Sequence, residues 1–339
     1  MGTTHKSRRW IIVALSLMVA LLAWPLAATA AGSNTFSGRA TVLRATVLGT
    51  TTAISDTGPL PAEGGAREAA DIDAGIPGVL AANVLHAEAF GQGTRSSSEA
   101  SVANLDLTVG GHHLNAGFLL SRATAECTSA GPTTRGNSEI VGLVLDSTPV
   151  FVTGQPNQTI ALSPVGTVII NEQTSSRPGD LTVSALHVII PGVADVVISS
   201  AHADITCGGG KNCGQAHDFV TGGGFITGTP SGAHGNFGVV GGLRKGQLFG
   251  HLVYEDHGTG MKVKGTGVTA YTVTGATSRR IEGTAEINGQ GGFTYQVDVA
   301  DNGEPGRNDT FTIRLSNGYS ATGTLTGGNI QLHKVKACK

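Results

Sequence analysis

From Arg280 to Leu315 the chain alternates apolar and polar residues one by one. Ile281, Gly283, Ala285 and Ile287 are interleaved with Arg280, Glu282, Thr284 and Glu286, and Asn288-Gly289 follows. Phe293, Tyr295, Val297 and Val299 are interleaved with Thr294, Gln296 and Asp298 before Asp301-Asn302-Gly303. Phe311, Ile313 and Leu315 alternate with Thr310, Thr312 and Arg314 before Asn317-Gly318. A period of two sends one face of a strand to a core and the other to water. Asn-Gly tolerates the positive φ angles of two-residue hairpin turns. Further strands are expected at 218–226, 236–243, 247–256, 261–273 and 329–334. That makes roughly eight or nine strands in about 125 residues, which calls for an antiparallel sandwich or barrel.

Upstream, the strands read more smoothly. Val, Ile, Leu and Ala dominate 80–90, 100–109, 114–126, 139–145, 165–171, 181–190 and 194–206, with Gly, Pro and Ser between them. Residues 59–78, with Ala-Arg-Glu-Ala-Ala, are expected to form a short helix or a long loop. A weak internal repeat relates Ser101-Val102-Ala103-Asn104-Leu105 to Thr182-Val183-Ser184-Ala185-Leu186, each followed by strand, turn, strand and a cysteine. The fold class expected is therefore all-β, with two antiparallel β-sandwich or barrel-like domains after a signal peptide.

Three features place the boundary between the domains. Residues 31–207 carry 7 Arg, no Lys and 15 acidic residues, whereas 208–339 carry 12 basic and 9 acidic ones. All four Tyr (Tyr254, Tyr271, Tyr295, Tyr319) lie in the second half, and Gly208-Gly209-Gly210-Lys211-Asn212 reads as a hinge. Cysteines divide evenly, with Cys127 and Cys207 before the hinge and Cys213 and Cys338 after it. Four cysteines permit three pairings. Cys127–Cys207 and Cys213–Cys338 are favoured because each stays within one half and because the repeat sets the first two at equivalent strand ends. Metal binding is the rival reading, although the chain has no C-x-x-C and no zinc-like spacing. The layout expected is 1–30 signal peptide, 31–207 first β domain, 208–214 hinge and 215–339 second β domain.

The first thirty residues read as an export signal. Lys6, Arg8 and Arg9 precede the apolar run from Trp10 to Trp24, and Ala28-Thr29-Ala30 offers small residues for cleavage before Ala31. The run is shorter than the ~20 residues of a bilayer span, so no transmembrane segment is expected in the mature chain. Neither a hydrophobic tail nor a sorting signal closes the sequence, so release or non-covalent retention at the surface is expected. Overall net charge is −2, which argues against a nucleic-acid partner.

Longer segments carry a resemblance. Residues 138–145, Pro156-Asn157-Gln158-Thr159-Ile160, Val168-Ile169-Ile170-Asn171-Glu172-Gln173, Ala185-Leu186-His187-Val188 and Ser199-Ser200-Ala201-His202-Ala203-Asp204-Ile205-Thr206-Cys207 resemble the bacterial choice-of-anchor P family. Asp218-Phe219-Val220-Thr221-Gly222-Gly223-Gly224, Gly235-Asn236-Phe237-Gly238, Asp301-Asn302-Gly303-Glu304-Pro305-Gly306 and Gly327-Gly328-Asn329-Ile330-Gln331-Leu332-His333-Lys334 resemble the post-choice-of-anchor-P domain that often follows. The resemblance implies an exported or surface bacterial protein with no established activity. It supplies no catalytic residues, and the sequence departs from the family pattern in lacking a sorting tail.

Catalytic signatures are sparse. The chain has no G-x-S-x-G, H-E-x-x-H, Walker loop or G-x-G-x-x-G in the mature region. Its 51 glycines are expected in turns and tight sheet packing. The oxygen-rich stretch Asp298, Asp301, Asn302, Glu304, Asn308 and Asp309 supplies ligand types suited to Ca²⁺, although Ala300 breaks the EF-hand register and a polar hairpin loop is the plainer reading. His202 and Asp204 share a strand face and could meet His187, as metal ligands or as a base and its orienter; a surface pair or a hydrogen-bonded histidine is the alternative. His112-His113 lies in a Gly-Gly-His-His turn and Asp256-His257 at a strand end. Three functions stay open. The first is a non-enzymatic secreted or surface-associated protein in structural, adhesive or envelope contact with an envelope, matrix or glycan partner, needing no cofactor. The second is a Ca²⁺- or glycan-binding module, and the third a secreted hydrolase.

Overall fold

The computed structural model describes residues 1–2, 33–208, 218–244 and 246–334, and the described residues are all-β. The expected signal peptide, most of the hinge, Cys213 and Cys338 lie outside them. From residue 33 onward the described chain is one compact unit. Strand pairing does not cross from 33–208 to 218–334, whereas side-chain packing does.

Three antiparallel sheets build it. The first has six strands in the order β10 (Gln158–Ala161), β11 (Thr167–Thr174), β12 (Asp180–Ile190), β13 (Ala194–Thr206), β1 (Thr35–Val47), β2 (Thr50–Asp56). The second has seven: β3 (Gly65–Ile76), β4 (Leu80–Gln92), β5 (Arg95–Val109), β6 (His112–Thr128), β8 (Val144–Leu145) and β9 (Thr148–Pro149), with β7 (Gly131–Val141) also paired to β6. Leu43, Leu105, Leu119, Ile170, Leu186 and Ile198 fill the core between these two sheets. The third has nine: β21 (Ser320–Thr324), β20 (Thr310–Leu315), β19 (Gln290–Ala300), β18 (Ser278–Ile287), β17 (Met261–Val273), β16 (Gln247–Asp256), β15 (Gly235–Arg244), β14 (Asp218–Ile226) and β22 (Gly327–Lys334).

The nine-stranded sheet is curled, and its rings prove it. Phe237 on β15 stacks on Phe311 on β20 with centroids 3.9 Å apart. Those strands are five positions apart, so a flat sheet would separate them by roughly 24 Å at about 4.8 Å per strand. Asp218 on β14 closes the same curl by a bidentate pair with the buried Arg279 on β18, at 2.6 Å.

The seven-stranded sheet is covered on both faces. On β4, Leu85, Ala87 and Ala89 face the first sheet, while His86, Glu88 and Phe90 face the third, and all six are buried. This double burial explains why the sequence here reads as smooth runs rather than alternation. Residues 65–76, expected as helix or loop, are instead strand β3, paired to β4 from Gly65↔Gly91 to Ile76↔Leu80. Alanine's helical preference is a fraction of a kcal/mol per residue, and a full antiparallel ladder overrides it. Strands β1, β2, β9, β10 and β21 lie outside the spans expected from sequence, although β1 alternates, with Phe36, Gly38, Ala40 and Val42 buried and Thr35, Ser37 and Arg39 exposed.

Glycine sets how closely the second and third sheets approach. A Cβ on Gly223 would collide with the Ser101 side chain, and one on Gly238 with the Cβ of His86. Gly223→Val should therefore destabilise the fold by about 3 kcal/mol, the upper part of the usual overpacking range. Gly291→Val, which meets nothing within 4 Å, should stay within about 0.5 kcal/mol of wild type. Urea denaturation of the two variants checks this, and equal midpoints would remove the close-approach argument.

Candidate functional site

The oxygen-rich loop of 298–309 is a structural tether. Asp298 on β19 accepts from Arg280 Nε at 2.7 Å and Arg314 Nη1 at 2.6 Å. Asp301 accepts the amides of Gly303 at 3.1 Å and Leu332 at 2.9 Å. Asp309, fully buried, accepts those of Asn302 and Ile330, both at 2.8 Å. Burial pushes its carboxyl up to about 6 despite those two amides. Asn302 donates to the Asn308 carbonyl at 2.8 Å, and Glu304 reaches Arg122 at 2.7 Å and Gln331 at 2.9 Å. These oxygens order the loop and the start of β22 rather than converging on one point.

Among the described residues, the His/Asp/Glu group with ligand atoms within 4.8 Å of one another is Asp180, His202 and Asp204. The register of β12 and β13 (Asp180↔Asp204, Thr182↔His202) brings it together, so the shared face of His202 and Asp204 was legible and Asp180 was not. His202 Nε2 lies 2.7 Å from Asp180 Oδ1, while Arg177 Nη2 holds both oxygens of Asp204 at 2.6 and 2.7 Å. Burial pushes Asp180 up, but the Ser176 hydroxyl and amide, with His202, hold it below the ordinary carboxylate range. Asp204 is raised, because burial outweighs Arg177. A metal here would have to displace Arg177 and Ser176. The order of contacts is Ser176–Asp180–His202, with the carboxylate in the middle, so the imidazole is not placed to take the serine proton.

The remaining histidines named from sequence are also paired. His187 meets Glu172 at 2.9 Å and Asp195 at 3.3 Å, away from His202. His112 meets Asp146 at 2.7 Å, His113 meets Asp106 at 3.0 Å, and His257 meets Asn236 at 2.8 Å. Tyr295 is buried, as its parity with Phe293 and Val297 required. Cys127 and Cys207 form a disulfide with Cα atoms 5.8 Å apart.

A cluster of buried titratable side chains was not read from sequence. It lies between the second and third sheets. His86 Nδ1 is 2.9 Å from His251 Nε2, and His251 Nδ1 is 3.2 Å from Glu68. Burial, then His251, holds His86 well below the usual imidazole range. Glu88 hydrogen-bonds Thr221, whose hydroxyl is 2.9 Å from His333 Nε2. Burial pushes Glu88 up to about 8 and His333 down to about 3. Glu99 is raised well above the carboxylate range by burial, against the pull of Arg122. The available signal was a Glu inside each of two smooth strands, but nothing in the sequence names the covering sheet.

One end of the first sheet presents apolar loop tips. Leu48 is 78% exposed, Val165 59% and Val193 41%. They sit at the β1–β2, β10–β11 and β12–β13 turns, and the Leu48 amide bonds the Val193 carbonyl at 2.9 Å. Phe151, 83% exposed, stands on the segment between β9 and β10, where Gln158 holds its carbonyl at 2.7 Å.

Fold and sites together define a class: an all-β chain of three packed sheets with a half-buried intrachain disulfide. No family model matches it and no curated protein matches it. Among solved structures, a Nitrosomonas europaea protein described as an AttH is 9% identical, pairing 88% of this chain with 92% of that one at a TM-score of 0.20. Among the described residues, no helix is long and apolar enough to cross a membrane.

Proposed function

We propose that the protein is an exported, non-enzymatic contact protein of the bacterial envelope or matrix, of the choice-of-anchor P kind, and that its apolar loop tips make the contact. The observation that carries this is the gathering of Leu48, Val165 and Val193 at one end of the sandwich. Scattered exposed hydrophobics are ordinary, but a group of them on neighbouring turns marks an interaction surface. The export-signal pattern read in residues 1–30 and the paired state of the surface histidines support the same reading.

The test is retention of the purified chain from Ala31 onward on native envelope preparations. Wild type should sediment with the envelope, and Leu48→Ser/Val165→Ser/Val193→Ser should lose most of that retention with an unchanged melting curve. Unchanged retention would remove the tips as the contact surface. Recovery of the native protein only from cytoplasm would end the export reading.

A further inference from the structure

At the opposite end of β5 from the apolar tips, the second and third sheets enclose a cleft of about 360 Å³. Arg95 opens β5, Arg122 lies on β6 and Arg135 on β7, and all three line it. The pairings Arg95↔Glu126, Glu99↔Arg122 and Thr124↔Arg135 put the three guanidinium groups on one face of the seven-stranded sheet. Glu304, Pro305 and Gln331 form the facing wall.

The guanidinium groups are incompletely engaged. Arg122 is buried and pairs with Glu304 through Nη1 at 2.7 Å, but its Nε is buried without a hydrogen bond. Arg95 Nε is likewise buried without a hydrogen bond, although Arg95 acts electrostatically on Glu88 and His333. Arg135 is exposed and makes no ion pair with a described residue. The carboxylates nearest the cleft are Glu126, Glu304 and the buried Glu99. Glu99 Oε2 is 3.9 Å from Arg122 Nε, and burial favours its protonated form. Arg95, Arg122 and Arg135 thus line the cleft together with Glu126 and Glu304, while the buried Glu99 and Glu88 act on Arg122 and Arg95 from the interior. A guanidinium fork matches an oxyanion in geometry as well as in charge. Asn137, Gln331 and the hydroxyls of Thr124 and Thr133 add neutral donors and acceptors around the same space. The volume is at the small end of small-molecule pockets.

We propose that this cleft binds an oxyanion carried on a monosaccharide-sized molecule, the carboxylate of an acidic sugar, with Arg95, Arg122 and Arg135 holding the anion and Glu304 competing for Arg122. The site is separate from the apolar tips, so either assignment stands without the other.

Calorimetric titration of the chain from Ala31 with glucuronate, inorganic phosphate and glucose at low ionic strength tests it. Glucuronate should bind saturably and glucose should not. Arg135→Gln, on an exposed side chain whose loss leaves the fold intact, should weaken glucuronate about tenfold, and Arg95→Gln similarly. Glu304→Gln should tighten it several-fold by releasing Arg122, which a merely structural ion pair would not do. Phosphate binding as tight as glucuronate would keep the oxyanion cleft and overturn the sugar. Absence of saturable binding by either anion, or binding indifferent to Arg135→Gln, overturns the site. Leu48→Ser/Val165→Ser/Val193→Ser should leave every one of these titrations unchanged.

Discussion

Stability against urea should pass through a maximum between about pH 4.5 and 6.5 and fall on both sides, with the alkaline limb made shallower by Glu88→Gln. Glu88 has a folded pKa of about 8 against an ordinary value of 4.5. Between those values the folded protein keeps a proton that the unfolded chain has lost, so its contribution falls as pH rises from 4.5 to 8. Glu99, also raised by burial, acts in the same direction. His333 has a folded value of about 3 against 6.5. Between 3 and 6.5 the unfolded chain binds the extra proton, so its contribution is complete above 6.5 and is lost as pH falls through that range. His86, lowered by burial and by His251, follows it.

From 4.5 to 6.5 the two carboxyls and two imidazoles oppose one another. Above 6.5 only the carboxyl penalty is still growing, and below 4.5 only the imidazole loss is. Carboxylates held low by partners, such as Asp56 beside Arg39, steepen the acid limb. Glu88 is 4% exposed, so little solvent screening reduces the effect. Glu88→Gln should therefore stabilise the protein at pH 9 by on the order of 4 kcal/mol, at about 1.4 kcal/mol per pKa unit, and change it little at pH 4.5. Urea midpoints at half-unit pH intervals give the profile. A variant whose alkaline limb matches wild type would show that Glu88 is not the group titrating there.

The same interface marks the limit of what the sequence discloses. Alternation at 281–287 and 293–299 places β18 and β19 within a few residues, because one face of each meets a core and the other meets water. It fails on β4 and β5, where both faces are covered and Glu88 and Glu99 look like isolated polar interruptions. It fails differently on β3, whose half-buried Ala-rich pattern carries little periodicity. The site residues divide along the same line. His202 and Asp204 lie two apart on one strand, so their shared face is a local property, while Asp180 joins them only through the register of β12 and β13. Asp301 and Asp309 stand in a short polar stretch typical of a cation loop, yet their acceptors meet amides of β22, more than twenty residues away. Arg95, Arg122 and Arg135 are brought onto one face by three paired strands, and no spacing in the chain announces that.

Replacing both Cys127 and Cys207 by alanine should destabilise the protein by about 4 kcal/mol, with Cys213 and Cys338 left in place. The cross-link closes a segment of 80 residues, and chain entropy alone gives about 4.5 kcal/mol for a loop of that length. Its position argues for an effect near that figure. Cys127 belongs to β6 of the seven-stranded sheet, and Cys207 follows β13 of the six-stranded sheet, so the bond staples the sandwich across its layers. At this end half of the buried facing residues are alanines (Ala123, Ala125, Ala201 and Ala203), beside Val183, Leu181, Phe36 and Ile205. The main core instead sets Leu43, Leu85, Leu105, Leu114 and Leu119 between the sheets. Alanine buries little area, and at about 25 cal/mol per Å² a small cluster gives limited cohesion. The covalent link therefore holds a layer contact that packing alone holds weakly. The urea midpoint should drop with the slope close to wild type, and hydrogen exchange should rise first in the last turns of β6 and β13. A loss below about 1 kcal/mol, or exchange rising evenly over the main core, would show that the alanine-lined end is held by its packing and not by the bond.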